Sequence, residues 1–294
     1  MTAQHLARWR LWLPLLVAVT VVVAVSAPVL EAPSASQRLT APGARPALER
    51  AEGGIVRGPL DRRQLALIFS AHEFGEGAPA ILDALSARGV RASFFLTGTF
   101  LRNEANAAVI RRMLRDGHYI GPHSDAHLLY CPWTGPKTTL VSQVEFTRDL
   151  ERNFEALGLF GIQRRSARIF LPPYEWYNAE IARWSDALGL TLVCHTPGTR
   201  STADYTEEGT AQFVSSETIL QSILRREQAD PHGLSGFILL LHLGAGPGRS
   251  DKFHRRFDEL MRLLAERGYR FVRIDQLVGE VEEPYPPSNL SSNR

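Results

Sequence analysis

The chain has 294 residues, of which 44% are hydrophobic and 22% charged, so its composition excludes a disordered or collagen-like protein. Its 33 basic and 31 acidic residues nearly balance. Because two of the basic residues are Arg8 and Arg10, residues 28–294 carry equal numbers of both signs. That balance excludes the strongly basic surface that is typical of a nucleic-acid-binding protein.

The N-terminal segment predicts export. Arg8 and Arg10 precede an uncharged run over residues 11–30 that is rich in Leu, Val and Ala. Such a run is typical of a signal peptide and is also long enough to tether a protein to a membrane. Val25-Ser26-Ala27 resembles a cleavage site, whereas Pro28 would hinder cutting. We therefore expect residues 1–27 to be a signal peptide or a membrane anchor, and the protein to be extracytoplasmic: secreted, periplasmic or membrane-anchored.

Two further segments are expected to lie outside the folded domain. Residues 28–60 are rich in Pro, Ala, Ser and Gly and show no sustained apolar period, which predicts a linker. Residues 280–294 have a similar character and predict a flexible tail. The catalytic domain is therefore predicted to span residues 61–279.

Within that domain, short apolar runs alternate with amphipathic stretches, which predicts an α/β protein with a mainly parallel sheet. Seven runs are expected to be strands: 65–70, 92–97, 118–121, 167–171, 190–195, 236–242 and 269–274. Asn103 and Asp251 are expected to begin helices that end at Gly117 and Gly268. About seven β/α units favour a distorted (β/α) barrel, with an open doubly wound sheet as the alternative.

Polar side chains follow most of these strands, at the edge where active sites form in either architecture. His123 and His127 are four residues apart and can share one metal ion, whereas two surface histidines would be the ordinary alternative. Glu73 would complete a set of two histidines and one carboxylate. His72 would then be the general base, although the sequence does not decide which of His72 and Glu73 binds the metal.

His242 ends the sixth run and is predicted to be the general acid, unless it is simply a packed core histidine. Asp125, Asp204 and Glu175 are candidates for supporting the catalytic groups, with an ordinary loop role as the alternative for both aspartates. Cys131 and Cys194 could pair as a disulfide, or Cys131 could bind metal. His118 is expected to be structural.

Aromatic residues crowd the same loops and could stack on sugar faces or pack over the barrel mouth. The candidates for substrate binding are Trp133, Trp176, Tyr177 and Tyr205. The glycines in Gly244-Ala245-Gly246-Pro247-Gly248 imitate a dinucleotide-binding turn, but Arg249 stands where the motif needs its third glycine.

Three motifs in order along the chain resemble the polysaccharide deacetylase family, also called the NodB homology domain. They are VRASFFLTG at 90–98, GHYIGPHSDAH at 117–127 and LLH at 240–242. The resemblance extends over most of residues 61–279. It implies a distorted barrel and metal-dependent deacetylation of a carbohydrate, with His123 and His127 as ligands and His242 as the acid.

The sequence departs from the family pattern in one region. The family's T-F-D-D-G is here part of IFSAHEF at 68–74, so Ser70 and Ala71 replace both aspartates. The family's R-x-P-Y-G is here LPPYE at 171–175, so Leu171 replaces the arginine. Loss of both members of a charge pair is self-consistent, because either one alone would be left unpaired. We expect a rewired site in which His72 and Glu73 take over the roles of the aspartates.

Taken together, these features predict an exported hydrolase that removes acetyl groups, as ester or amide, from a polysaccharide or cell-wall glycan. Zinc is the expected metal, with cobalt or nickel as alternatives, and the Tyr174 backbone N–H is a candidate for stabilising the oxyanion. Two other functions remain open: a catalytically silent glycan-binding protein on the same fold, and a metal-dependent amidase acting on a non-sugar C–N bond.

Overall fold

The computed structural model describes residues 47–279, where nine strands and eight α-helices form one α/β unit. The predicted signal peptide or anchor, the tether at 11–30 and the C-terminal tail lie outside the described residues. The strands are β1 Glu49–Ala51, β2 Gly54–Arg57, β3 Gln64–Ala71, β4 Ser93–Leu96, β5 Tyr119–Pro122, β6 Ile169–Phe170, β7 Thr191–Leu192, β8 Ile238–His242 and β9 Arg270–Val272.

The helices connect successive strands and cover the outside of the sheet. They are α1 Ala78–Ala87, α2 Gly98–Arg102, α3 Ala107–Arg115, α4 Gln143–Gly158, α5 Ala179–Ala187, α6 Ser216–Ala229, α7 Phe257–Glu266 and α8 Ile274–Val278. Within residues 47–279, no helix is both long and apolar enough to cross a membrane.

The parallel strands form the ring of a distorted barrel. β5, β4, β3 and β8 pair in that order, and β9 pairs with the first residues of β3. The backbone N–H of Leu171 joins β6 to β5 through the carbonyl of Pro122, and β6 pairs with β7. A bridge between Ile55 and Val193 joins β2 to β7, and an antiparallel bridge between Arg57 and Phe237 joins β2 to the β8 segment. The barrel predicted from the sequence is therefore present.

All seven predicted strands are present, but the domain begins earlier than expected. β1 and β2 lie inside residues 28–60, so the end of the predicted linker is part of the fold. β2 is fully buried, and its hydrogen bonds close the ring between β7 and β8. A second difference concerns Asp251, whose carboxylate accepts a hydrogen bond from the Ser216 N–H in α6 while its own predicted helix starts later, at Phe257.

Alternation along the strands divides the core into two layers. In β3, Leu65, Leu67 and Phe69 face the helices, whereas Ala66 and Ile68 face the barrel interior. Successive side chains of a strand point to opposite faces, so Ser70 also points inward. Ser70 is in register with His242 of β8, and the sheet thus delivers both residues to the carboxyl-terminal mouth.

Candidate active site at the barrel mouth

Three histidines lie together on one side of the mouth. His72 follows β3, and His123 and His127 follow β5. The ring of His127 stacks on that of His72 with centroids 4.6 Å apart and contacts the ring of His123 at 5.1 Å. We call these residues the histidine cluster.

Burial keeps two members of this cluster neutral. It lowers the pKa of His123 to about 3, against a smaller opposing effect of its hydrogen bond to Leu171. Burial also lowers the pKa of His127 to about 2, and the neighbouring imidazoles add to that effect. The Nδ1 atom of His123 lies 2.8 Å from the carbonyl oxygen of Leu171. Because a carbonyl oxygen only accepts, Nδ1 donates to it and Nε2 keeps its lone pair, as in a histidine that binds metal.

Two residues of α4 that sequence reasoning missed hold the histidine loop in place. The Asp149 carboxylate accepts hydrogen bonds from the Ser124 hydroxyl at 2.5 Å and from the backbone N–H groups of Asp125 and Ala126, both at 2.9 Å. The Asn153 side chain accepts from the His123 N–H at 3.0 Å and donates to the Leu96 carbonyl at 3.1 Å. Their i, i+4 spacing on a buried helix face was the available signal.

Two predicted acidic members of the site have contacts that differ from those expected. The side chain of Glu73 is 64% exposed, and its carboxylate lies 4.0 Å from Nε2 of His72. His72, and not Glu73, packs against His127, so Glu73 as the metal carboxylate stays a prediction. Asp125 does not orient an imidazole; its carboxylate lies 2.7 Å from the Arg102 guanidinium.

The histidine cluster fits a divalent metal in its donor chemistry, since neutral imidazoles are ligands for zinc, cobalt and nickel. Among residues 47–279, no three His, Cys, Asp or Glu side chains already surround a common ion position. The stacking of His72 on His127 is consistent with this, because stacked rings share a face rather than a common focus of their nitrogens.

On the other side of the mouth, His242 is held by Asp204. The Nδ1 atom of His242 lies 2.6 Å from Oδ1 of Asp204, and its backbone N–H donates to Oδ2 at 2.8 Å. Burial alone would lower the pKa of His242, but the Asp204 carboxylate and, to a smaller extent, Glu175 outweigh it and raise that pKa above its ordinary value. His242 is thus suited to carry a proton near neutral pH.

A strained turn after β6 brings Glu175 towards His242. Tyr174 and Glu175 have φ angles of 59° and 52°, in the left-handed region that non-glycine residues rarely adopt. The Glu175 N–H donates to the Pro172 carbonyl at 3.0 Å. Burial raises the pKa of Glu175 to about 7, with opposing influences from His242 and Asp204. The sequence placed Glu175 in a supporting role and did not indicate this position.

The aromatic residues separate into two groups. Trp133, Tyr174 and Tyr205 are 43–59% exposed, and the last two contact the rings of His127 and His242 at 4.2 and 4.7 Å. Tyr177 was predicted to bind substrate, but it is buried and its hydroxyl donates to the Ala51 carbonyl at 2.8 Å. Trp176 is half-buried and donates from Nε1 to the Pro132 carbonyl at 3.1 Å.

The positions of the missing aspartates are apolar or unpaired. Ser70 is buried, and its hydroxyl has no hydrogen-bond partner in the described part of the chain. Ala71 and Leu171 are also buried. No charge therefore stands where the family carries its base and its arginine.

The remaining candidates have structural contacts. Cys131 and Cys194 are both buried and free, so they do not form the disulfide that the sequence left open. His118 is structural as expected: its Nδ1 accepts a hydrogen bond from the Ala92 N–H at 3.0 Å, and burial lowers its pKa to about 4.

Comparison with known proteins agrees with this architecture. Residues 57–193 match the family model described as polysaccharide deacetylase. A peptidoglycan-N-acetylglucosamine deacetylase of Bacillus cereus is 25% identical over 221 residues, which cover 75% of this chain and 70% of that protein. The peptidoglycan-N-acetylglucosamine deacetylase PgdA of Listeria monocytogenes is 24% identical over 74% of this chain, which spans 39% of that longer protein.

The fold is also similar to that of a CE4 family pseudoenzyme from Bacillus anthracis. The two structures superpose with a TM-score of 0.60 at 21% identity, covering 78% of this chain and 70% of the other. At this identity the likeness establishes the fold alone.

Proposed function

Because the chain belongs to the polysaccharide deacetylase family, we propose that it is a metal-dependent hydrolase that removes acetyl groups from a cell-wall glycan outside the cytoplasm. The names of the Bacillus and Listeria relatives support a glycan containing N-acetylglucosamine. The export signal read from residues 1–27 supports the location. Zinc is our proposal for the metal, with cobalt or nickel as alternatives.

The observation that carries this proposal is the division of the mouth into two chemically different halves. The histidine cluster offers neutral nitrogen donors, and the pair of His242 and Asp204 offers a positioned proton. The two halves are close enough that His242 adds to the lowering of the pKa of both His123 and His127. A bound acetyl group could therefore contact an ion at the histidine cluster and the imidazole of His242 at the same time.

The residues of each half have separate tasks. His123 and His127, with His72 or Glu73 as the third ligand, would hold the divalent ion, which when bound would polarise the acetyl carbonyl and activate water. His242 donates its proton to the leaving nitrogen or oxygen, and Asp204 fixes the orientation of the imidazole and favours its charged form. Tyr174 and Tyr205 flank the two halves and offer ring faces to a sugar.

The backbone N–H of Tyr174 remains our proposal for the oxyanion donor. Within residues 47–279 it donates to no protein group, whereas the N–H groups of Glu175 and Trp176 are used inside the turn. A free N–H directed at a developing negative charge stabilises the transition state.

A catalytically silent glycan-binding protein is the second candidate. The replacement of the family aspartates by Ser70 and Ala71 favours it. This candidate requires binding without turnover.

One experiment separates the two. The full chain would be loaded with zinc, its metal content measured, and acetate release followed with peptidoglycan, chitin oligomers and acetylated xylan. We expect His123→Ala to lose the metal and His242→Asn to keep the metal but lose acetate release. His232→Ala, a change of an exposed histidine, is the control and should match the wild type. A zinc-loaded wild type that binds chitin oligomers but releases no acetate would contradict the enzyme and favour the binding protein.

A further inference from the structure

The base for this reaction needs a new candidate. His72 packs with the metal-binding half, and the family's base position is occupied by Ser70. Two carboxylates influence His242, those of Asp204 and Glu175. Both oxygens of Asp204 are already bound to His242, one to the ring and one to the backbone. That leaves Glu175.

The Glu175 carboxylate is near the reacting groups and not committed to another contact. Within residues 47–279 the carboxylate accepts no hydrogen bond and forms no ion pair. The residue is half-buried. Its charge acts on His242 from β8, on Tyr205 from the loop after β7 and on Cys194 next to β7, and the charge of Asp204 acts on Glu175. These interactions place Glu175 in the half of the mouth that holds His242 and Asp204.

The backbone at Glu175 is fixed in a conformation that a glutamate does not favour. Its N–H donates to the Pro172 carbonyl, and its own carbonyl accepts a hydrogen bond from the Cys194 thiol at 3.5 Å. The family motif resembled by residues 171–175 has glycine at this position, and glycine is the residue that suits a φ of 52°. Strain of this kind is concentrated at functional sites.

We propose that Glu175 is the general base of the deacetylation, a carboxylate that has moved from the end of β3 to the turn after β6. This inference rests on the proposed function. The ionised Glu175 carboxylate removes a proton from the attacking water, whose oxygen forms a bond to the acetyl carbon. The bond from that carbon to the sugar nitrogen or oxygen then breaks, and His242 gives its proton to the leaving atom. Acetate and the deacetylated sugar leave, and both residues exchange protons with solvent to reset.

The electrostatic environment suits this role. Burial raises the pKa of Glu175 to about 7, and Asp204 adds to the rise while His242 opposes it. A base whose pKa lies near the working pH combines a useful ionised fraction with a useful proton affinity.

The test compares three changes of this residue in the full zinc-loaded chain. Glu175→Gln keeps the size and removes the base, Glu175→Asp keeps a carboxylate, and Glu175→Gly restores the family residue and relieves the strained backbone. Glu151→Gln, an exposed carboxylate on α4, is the matched control. Acetate release would be measured from pH 5 to 9, with and without added formate.

We expect Glu175→Gln to lower kcat by roughly 10²-fold or more and to remove the ascending limb of the pH profile near 7. Glu175→Asp should retain part of the rate, and formate should restore part of the rate to Glu175→Gly, because a small carboxylate can occupy the space that is opened. A merely structural role would not give rescue by formate. Independently of turnover, a carboxyl carbon NMR titration of the metal-free wild type should place the Glu175 midpoint near 7.

Failure of the proposal and failure of the function give different results. If the wild type releases acetate and Glu175→Gln keeps its rate and pH profile within about twofold, the base is another residue and the deacetylase stands. If the wild type releases no acetate from any of the glycans, both proposals are overturned. A Glu175 midpoint near 4.5 would also contradict the proposed base.

Discussion

The carboxylate of Asp204 contacts His242 twice, once at the imidazole Nδ1 at 2.6 Å and once at the backbone N–H at 2.8 Å. Both the direction of the ring and the position of its backbone therefore depend on one side chain. Asp204 is itself buried, which strengthens the effect of its charge on the ring.

Replacing Asp204 by Asn is expected to lower the pKa of His242, because the main influence that raises it is lost. The acid would then lose its proton at a lower pH, and the descending limb of the pH profile of acetate release should move to lower pH. We expect a loss of about 10²-fold at neutral pH. Imidazole NMR titration measures the pKa, with Asp61→Asn on the surface as control. An unchanged His242 midpoint would contradict the prediction.

Replacing Asp149 by Asn should loosen the histidine loop. The carboxylate accepts three hydrogen bonds, and an amide would offer an N–H₂ group where acceptors are needed. We expect the free energy of unfolding to fall by roughly 2–4 kcal/mol, since hydrogen bonds to charged groups contribute about 1.5–3 kcal/mol each and some would be retained. Urea unfolding measures stability, and calorimetry measures zinc affinity. A stability and affinity equal to those of Glu151→Gln would refute the role of Asp149.

The metal-free protein should become less stable as the pH falls below about 6.5. Burial lowers the pKa of His118 to about 4 in the folded state, so its contribution is complete above the unfolded pKa near 6.5 and is lost as the pH falls through 4. The largest contribution from this residue is roughly 3 kcal/mol. His118→Asn, which keeps an acceptor for the Ala92 N–H, should make this dependence less steep, with His123 and His127 supplying the rest. Urea unfolding in a chelator between pH 4.5 and 7.5 measures it, and equal slopes for both proteins would contradict the prediction.

Arg249 is expected to hold the loop that carries Asp204 and Tyr205. Its guanidinium is fully buried and donates to the carbonyls of Thr206 and Val214 at 3.0 and 2.9 Å. Arg249→Met would leave these acceptors unpaired and lower the free energy of unfolding by roughly 2–4 kcal/mol. Acetate release should fall as well. Arg62→Met, on the surface, is the control, and thermal melting with the acetate assay would show whether the two variants differ.

The sequence predicted the elements that carry a strong local pattern. The seven strands after residue 61 are apolar runs between turn signals, and all were found. β1 and β2 were missed because they are three and four residues long and lie in a segment rich in proline, alanine and glycine. Nothing local to β2 indicates that it pairs with strands far along the chain.

The same reasoning located the mouth but not all of its contacts. His123 and His127 lie together because both follow the same strand. The exposure of Glu73, by contrast, depends on the conformation of the loop after β3, which a local sequence pattern does not predict. Asp149 and Asn153 were missed because polar residues at i, i+4 of an amphipathic helix usually lie on its solvent side.

The position of β2 in the ring has a consequence for how the chain reaches its native state. The Thr196 hydroxyl donates to the Val56 carbonyl across 140 residues, and the Arg57 side chain donates to the Ser235 carbonyl across 178. Contacts of such long sequence separation form slowly, because a large loop must close first. During synthesis, β2 leaves the ribosome among the first elements of the domain but gains its partners among the last. One edge of β2 pairs with the neighbouring β1, but until the late partners arrive its other edge is free to pair with a chaperone or another chain.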